Sequence, residues 1–124
     1  MNVVDSSGWL EYFSNGPNAD VFASAIENTA ELLVPSITIY EVFKRILQQR
    51  SEDEALQAIV AMQQGKAVVL DETIALSAAK ISDLHKIPMA DSIILATAKA
   101  YNAVVWTQDS DFVGLNDVQF FEKQ

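Results

Sequence analysis

Two segments of the chain place carboxylates and hydroxyls directly after short apolar runs. Residues 5–7 read Asp-Ser-Ser, and residues 107–112 read Thr-Gln-Asp-Ser-Asp-Phe. Oxygen donors of these types, at the mouth of a strand, suit a hard cation such as Mg²⁺ or Mn²⁺. Each segment also has a simpler interpretation. Asp5 can cap the next helix, and the later segment is compatible with ordinary turn chemistry.

Two further acids lie inside predicted helices. Asp91 is on the apolar side of a helix that is expected to be largely buried, so its carboxylate needs a partner. A metal ion is one such partner, and the positive end of the helix dipole just after Pro88 is the alternative. Glu41 lies on the polar face of its own helix, where a solvated pair with Arg45 would explain it.

Several other chemistries are excluded or disfavoured by residue counts. The chain has no cysteine, so it has no disulfide, no thiolate zinc site and no cysteine nucleophile. Its four glycines lack the spacing of a phosphate-binding loop. The single histidine, His85, is predicted to be a surface residue near the end of a helix.

Length and charge set the broad class. The chain has 124 residues, which suits one domain, and 50% are hydrophobic, which suffices for a core. There is no apolar run long enough to span a membrane and no secretory signal, so a cytoplasmic protein is expected. The net charge of −9 argues against simple nucleic-acid binding. However, seven of the eight basic residues fall between positions 44 and 99, so the acidity is partly regional.

Short apolar segments alternate with longer helical ones, which is typical of parallel β-α-β units. We therefore predict a single α/β domain with a central, mostly parallel sheet of about four to five short strands and helices on both faces. Ligands in such sheets bind at the carboxyl ends of strands near a switch in strand order, which again indicates Asp5 and the 107–111 segment. The predicted strands are 2–5, 32–34, 67–70, 103–106 and 118–121. The predicted helices are 6–14, 17–28 with Pro17 in its first turn, 37–50 capped by Ser36, 52–64 capped by Ser51, 72–85 capped by Asp71, and 88–101.

Taken in order, the four acidic segments resemble the motifs of the PIN-domain family, and within it the small VapC-type toxins of toxin–antitoxin pairs. The matching segments are Asp5-Ser6-Ser7, Glu41 within 36–42, Asp91 within 87–96, and Asp109 within 105–112. The resemblance covers essentially the whole chain, so one PIN-like domain is expected over residues 1–124. It also outweighs the helical phase of Glu41, because four motifs in order are more specific than any one acid.

The resemblance implies a metal-dependent endoribonuclease that holds Mg²⁺ or Mn²⁺ and leaves 5′-phosphate and 3′-hydroxyl ends. It implies Asp5 and Asp91 as direct ligands, with Glu41 and Asp109 as direct or water-mediated ligands. Asp111 is expected to act with Asp109 or in its place. The supporting hydroxyls are expected to be those of Ser7, Thr107 and Ser6.

The same resemblance implies partners. These are an RNA substrate, with tRNA as one candidate, a basic VapB-type antitoxin whose tail fills a groove near the site, and a second copy of the chain in a homodimer. The groove is expected to include Trp9, Tyr12 and Phe13, for which core packing is the alternative. Contacts to RNA phosphates are expected from basic residues near the rim of the site: Lys44, Arg45, Lys80, Lys86 and Lys99.

Three alternative functions remain at this stage. A receiver-type signalling domain would use Asp71 as a phosphoacceptor, but strand 1 ends in a single acid rather than an acidic pair. A PIN-fold interaction module would lack nuclease activity. A PIN nuclease of RNA processing would cleave RNA without being a toxin.

Overall fold

Five short strands form one parallel sheet in the computed structural model, which describes residues 1–124. The spatial order is β3-β2-β1-β4-β5. This confirms the predicted parallel α/β architecture, with all five predicted strands present. Their bounds are β1 Asn2–Val4, β2 Leu32–Pro35, β3 Lys66–Val68, β4 Val104–Thr107 and β5 Val118–Phe120.

Six helices connect the strands, as the apolar periodicity predicts. Three of their starts differ from the prediction. Pro17 lies outside α2, because Asn18 is the residue that precedes the helix, and Ser36 is the first helical residue of α3 rather than its cap. Pro88 precedes α6, which begins at Met89. The bounds are α1 Ser6–Phe13, α2 Ala19–Ile26, α3 Ser36–Gln49, α4 Glu52–Met62, α5 Glu72–His85 and α6 Met89–Ala100, with single 3₁₀ turns at Thr29–Glu31 and Ser110–Phe112.

Three side chains cap helix N-termini where the sequence predicts caps. Ser51 accepts the Glu54 amide of α4 at 3.1 Å, and Asp71 accepts the Ile74 amide of α5 at 2.9 Å. Asp5 accepts the Gly8 amide of α1 at 3.1 Å. Each bond satisfies an amide that the helix itself leaves free.

The three central strands, β2, β1 and β4, are largely buried, because helices cover both faces of the sheet. Val3 points into an apolar core shared with α5 and α6, and Val4 points into a second core formed with α1, α2, α3 and α4. Burial on both faces explains why the strands read as continuous apolar runs. No helix is long and apolar enough to cross a membrane.

The strand order changes direction between β1 and β4. From β1 the chain first builds outward through β2 and β3, and then crosses back to place β4 on the other side of β1. The carboxyl ends of β1 and β4 therefore meet, and the Asp5 amide donates to the Trp106 carbonyl at 3.1 Å. A switch point of this kind is where ligands bind in open parallel sheets.

Candidate metal centre

Asp5 lies at the end of β1 and is only 2% exposed. Its Oδ1 accepts from the Ser7 hydroxyl at 2.7 Å and from the Gly8 amide at 3.1 Å, and its Oδ2 accepts from the Thr107 hydroxyl at 2.7 Å. Burial raises the pKa of Asp5 to about 6. These three hydrogen bonds oppose the rise, and the charge of Asp109 adds to it. The helix-cap and metal-site predictions for Asp5 are therefore compatible, since this one residue caps α1 and also lies close enough to Asp109 to feel its charge.

Two hydroxyls join the ends of β1 and β4. Thr107 donates to Asp5 and accepts the Asp109 amide at 2.9 Å, so it fixes the backbone of one acid against the carboxylate of another. Ser7 likewise donates to Asp5 and accepts the Gln108 amide at 3.3 Å. The structure thus places both hydroxyls where the sequence predicts supporting residues.

Three carboxylates converge at the N-terminus of α6. One oxygen each of Asp91, Asp109 and Asp111 lies within 4.8 Å of the others. The pKa of Asp91 is raised to about 7. Burial is the largest cause, followed by the charges of Asp109, Asp5 and Asp111 and a hydrogen bond with Asp111. Asp109 is half-buried and accepts the Asp111 amide at 2.9 Å, whereas Asp111 is exposed.

Glu41 is half-buried and accepts a short hydrogen bond from the Ser6 hydroxyl. The alternative pair with Arg45 is absent, because the ion pairs of the structure are Met1–Glu31 and Asp83–Lys86. The polar face of α3 meets the start of α1 here rather than open solvent. The helical phase of Glu41 is therefore correct, but its interpretation as a solvated pair is wrong.

A cavity of about 770 Å³ opens between α1, α3 and α4, and none of the predicted site acids lines it. Ser6 and Ser7 lie on its wall, which connects it to the end of β1. Arg45 lines the cavity, as does Phe13, and both are among the predicted contacts. Two basic residues that the sequence did not indicate, Arg50 and Lys123, also line it.

Trp9 does not belong to this cavity, so its assignment to a partner groove is wrong. The side chain is fully buried and stacks on Phe13 at 5.6 Å, because it fills the core between α1 and the sheet. Tyr12 is half-buried and donates to Glu27 at 3.0 Å. Of the three aromatic residues, Phe13 alone lines the cavity.

The other basic residues predicted to contact RNA do not line the cavity. Lys44 contacts the ring of Tyr40 at 5.6 Å, and Lys86 pairs with Asp83 at 3.4 Å. Lys80 and His85 are exposed on α5. Lys99 is in the last turn of α6, about 12 Å along the helix axis from Asp91 at 1.5 Å per residue. The structure thus brings Arg45, but not Lys99, toward the site.

The residues present fit a divalent metal ion. The donor set consists only of oxygens, and none of the acids forms an ion pair with lysine or arginine. Burial and, after it, repulsion from the other carboxylates raise the pKa of Asp91, and a bound cation would offset both effects. Clustered carboxylates of this kind match the preference of Mg²⁺ and Mn²⁺ for hard ligands.

A parallel sheet with acids gathered at its switch point defines a class of α/β domains with an acidic, metal-compatible site. The chain belongs to the PIN domain family, whose model matches residues 3–117. This confirms the resemblance to the PIN-domain family. No curated protein matches the chain significantly.

Solved structures share the fold over the whole chain. A toxin–antitoxin complex from Klebsiella pneumoniae aligns with a TM-score of 0.83 and 21% identity, covering 98% of this chain and 99% of that one. VapC20 of Mycobacterium tuberculosis, described as a sarcin–ricin loop cleaving toxin, aligns at 0.80 and 12%, covering 100% and 99%. VapBC2 of Rickettsia felis, bound to a promoter DNA fragment, aligns at 0.76 and 13%, covering 99% and 98%.

Three polar residues near the site escaped the sequence analysis. Glu11, Asn18 and Gln108 form a hydrogen-bonded ring beside the loop that carries Asp109. Asn18 sits just after the Asn-Gly-Pro break, and Gln108 lies between two predicted site residues. Adjacency to a motif was the one available signal, and it does not distinguish a buried glutamine from an exposed one.

Proposed function

We propose that this protein is a metal-dependent endoribonuclease of the VapC toxin type. The observation that carries the proposal is the convergence of the acids after β1 and β4 with the acid at the start of α6. Asp91, Asp109 and Asp111 lie within 4.8 Å of one another, and Thr107 bridges Asp5 to the Asp109 backbone. Ser6, which follows Asp5 in the chain, donates to Glu41. Membership in the PIN family and the likeness to toxin structures support the same function.

In this proposal Asp91 and Asp109 hold Mg²⁺ or Mn²⁺, and Asp5 completes the site from the end of β1. When bound, such a metal polarises a water molecule and stabilises charge on a phosphodiester. Glu41 orients the attacking water from the α3 side. Asp109 is preferred over Asp111 as a ligand because its backbone amide is fixed by Thr107, whereas Asp111 is exposed at the rim.

In this proposal RNA reaches the site through the cavity between α1, α3 and α4. Arg45, Arg50 and Lys123 offer positive charge along its wall, which Glu11 and Glu54 also line. A bound metal would reverse the negative potential of the carboxylates, so that phosphate could approach them in a protein with a net charge of −9.

We further propose that the chain has a VapB-type antitoxin partner and forms a homodimer. Proteins with this fold include a toxin–antitoxin complex and VapBC complexes. The same cavity combines apolar side chains, including Leu10, Phe13 and Ile46, with basic ones, so it suits an amphipathic peptide segment. A partner bound there would also exclude RNA.

The decisive experiment is cleavage of total cellular RNA by the purified protein, free of any partner, with Mn²⁺ or Mg²⁺. Asp91→Asn and an EDTA-treated sample provide the controls. We expect discrete fragments from the wild type and none from either control, and sequencing of the fragment ends would identify the RNA. Cleavage that survives Asp91→Asn would contradict the site, and Mn²⁺ binding with no cleavage of any RNA would indicate an interaction module.

A further inference from the structure

Gln108 is a buried polar side chain between two residues of the site. It is 8% exposed, and its neighbours in the chain are Thr107 and Asp109. Buried amides are retained when they are hydrogen-bonded, and loss of their partners is costly. The hydrogen bonds of Gln108 therefore show which parts of the protein hold the loop that follows β4 and carries Asp109.

The side chain of Gln108 belongs to a closed ring of three residues. Its Oε1 accepts from Asn18 Nδ2 at 3.0 Å, and its Nε2 donates to Glu11 Oε1 at 3.4 Å. The ring closes where the Asn18 backbone amide donates to Glu11 Oε2 at 2.7 Å. Asn18 Nδ2 also donates to the carbonyl of Glu122 at 3.0 Å, which fixes the orientation of both amides.

The ring depends on a close approach of the turn between α1 and α2. A Cβ atom at Gly16 would lie 2.4 Å from the Glu11 carboxylate, so any other residue at position 16 would require the end of the Glu11 side chain to shift from its place in the ring. Glu11 forms no ion pair, and its two oxygens are used within the ring. The ring is thus a built feature of three separate segments.

Gln108 is held at two points on one face of α1. Its backbone amide donates to the Ser7 hydroxyl, and its side chain contacts Glu11, which is four residues further along the helix. The same helix begins after Asp5. Fixing Gln108 on this face therefore fixes the distance between the Asp5 carboxylate and the loop that carries Asp109.

We infer that Gln108 is a positioning residue, whose ring with Glu11 and Asn18 sets the placement of Asp109 for metal binding. This rests on the proposed metal site. Residues that orient metal ligands typically change metal affinity 10- to 100-fold when they are mutated. Gln108 would act in this way without touching the metal.

The first test is Gln108→Met, which keeps the length of the side chain and removes both hydrogen bonds. Mn²⁺ affinity is measured by electron paramagnetic resonance, and exchange of the Asp109 and Asp111 amides is measured by NMR in the metal-free protein. We expect about 10-fold weaker Mn²⁺ binding and faster exchange at both amides. Tyr12→Phe is the matched control, because Tyr12 follows Glu11 on α1 and its hydroxyl bonds Glu27, which is not part of the ring. This variant should change neither quantity.

A second test exchanges the side chains of Glu11 and Gln108. Gln108→Glu places two carboxylates face to face, whereas the double variant Glu11→Gln with Gln108→Glu restores a donor and an acceptor between them at the wild-type net charge. We expect the loop amides to exchange fast in the single variant and to return to within about threefold of the wild type in the double variant. Double-mutant restoration of this kind reports direct coupling.

The outcomes separate this inference from the proposed function. If wild-type protein binds Mn²⁺ and Gln108→Met binds it equally well, Gln108 has no positioning role. If the amides exchange at the wild-type rate in Gln108→Met, the ring does not hold the loop, whatever the metal does. If wild-type protein fails to bind Mn²⁺, the proposed metal site is wrong, and that result does not depend on Gln108.

Discussion

Asp5 and Asp91 both stand at the start of a helix on the same edge of the sheet, yet their surroundings differ. Asp5 caps α1 and receives one amide and two hydroxyl hydrogen bonds. Asp91 lies in the first turn of α6, which has no side-chain cap, and it faces other carboxylates instead. The pKa of Asp5 is raised to about 6 and that of Asp91 to about 7.

The difference shows that aspartate at the start of a helix can have a structural role or a role in the site. Asp5 contributes to the fold as well as to the site, because its acceptors satisfy groups that would otherwise be buried and unpaired. The ionised Asp91 carboxylate opposes folding of the metal-free protein, first because it is partly buried and then because the other carboxylates repel it. Residues of the second kind mark function more clearly than those of the first.

The largest expected effect is shared by both acids. Asp5→Asn and Asp91→Asn should each weaken Mn²⁺ binding by more than about 100-fold, since each removes a charged group from the site rather than a supporting one. Titration followed by electron paramagnetic resonance would measure this. Wild-type affinity in Asp5→Asn would show that Asp5 has only a structural role.

Substitutions of Asp5 and Asp91 should change the stability of the metal-free protein in opposite directions. Asp5→Ala should lower the free energy of unfolding by about 2 kcal/mol, because it removes a helix cap and leaves two hydroxyls without their acceptor. Asp91→Asn should instead raise the melting temperature of the metal-free protein by a few degrees, because it removes a repelled charge. Thermal unfolding in EDTA provides the measurement, and equal shifts in the two variants would contradict the distinction.

The metal-free protein should lose stability as the pH rises. Both acids have a pKa above 3.8 in the folded state, so between about pH 4 and pH 7 the folded state binds more protons than the unfolded one. That contribution is complete at low pH and is lost as the pH passes through 6 to 7. The melting temperature in EDTA should therefore be higher at pH 5.5 than at pH 7.5, and Asp91→Asn should flatten the trend. A higher melting temperature at pH 7.5 would refute it.

A third acid at the start of a helix, Asp71, should have the smallest effect on stability when it is replaced, and it tests whether capping and metal binding are separate properties. Asp71 caps α5 away from the other acids, and it accepts the Ile74 amide at 2.9 Å. Asp71→Ala should cost about 1 kcal/mol of stability, the usual value of an exposed cap, and leave Mn²⁺ affinity unchanged. A change in Mn²⁺ affinity in this variant would show that metal binding follows overall stability rather than the local acids.

The sequence predicts the fold well because parallel strands buried on both faces leave a strong apolar signal. The segments 32–34 and 103–106 overlap observed strands, and the predicted fifth helix, 72–85, matches α5 in both bounds. Helix starts were harder to predict. Proline suits the first turn of a helix and serine suits a cap, but Pro17 lies before α2 and Ser36 is already the first residue of α3. Their places depend on how the chain turns into the next element.

The acids were predictable as motifs, but their environments were not. Helical phase places Glu41 opposite the core of α3, and only the packed structure shows that α1 lies there. Trp9 is a large aromatic residue on a short helix, and the sequence alone does not show which side of that helix is covered. The ring around Gln108 joins residues about 90 positions apart, for which a single sequence carries no signal.

The position of β1 at the centre of the sheet has a consequence for how the chain folds. Val3 pairs with Leu33 on one side and with Val105 on the other, about 100 residues away in the chain. Closing so long a loop costs entropy before any contact repays it, so β4 is expected to dock late. Until then one side of β1 offers unpaired backbone groups beside Val3 and Val4, and a neighbouring chain can occupy them. Refolding yield should consequently fall as protein concentration rises, even though the finished sheet leaves no edge at β1.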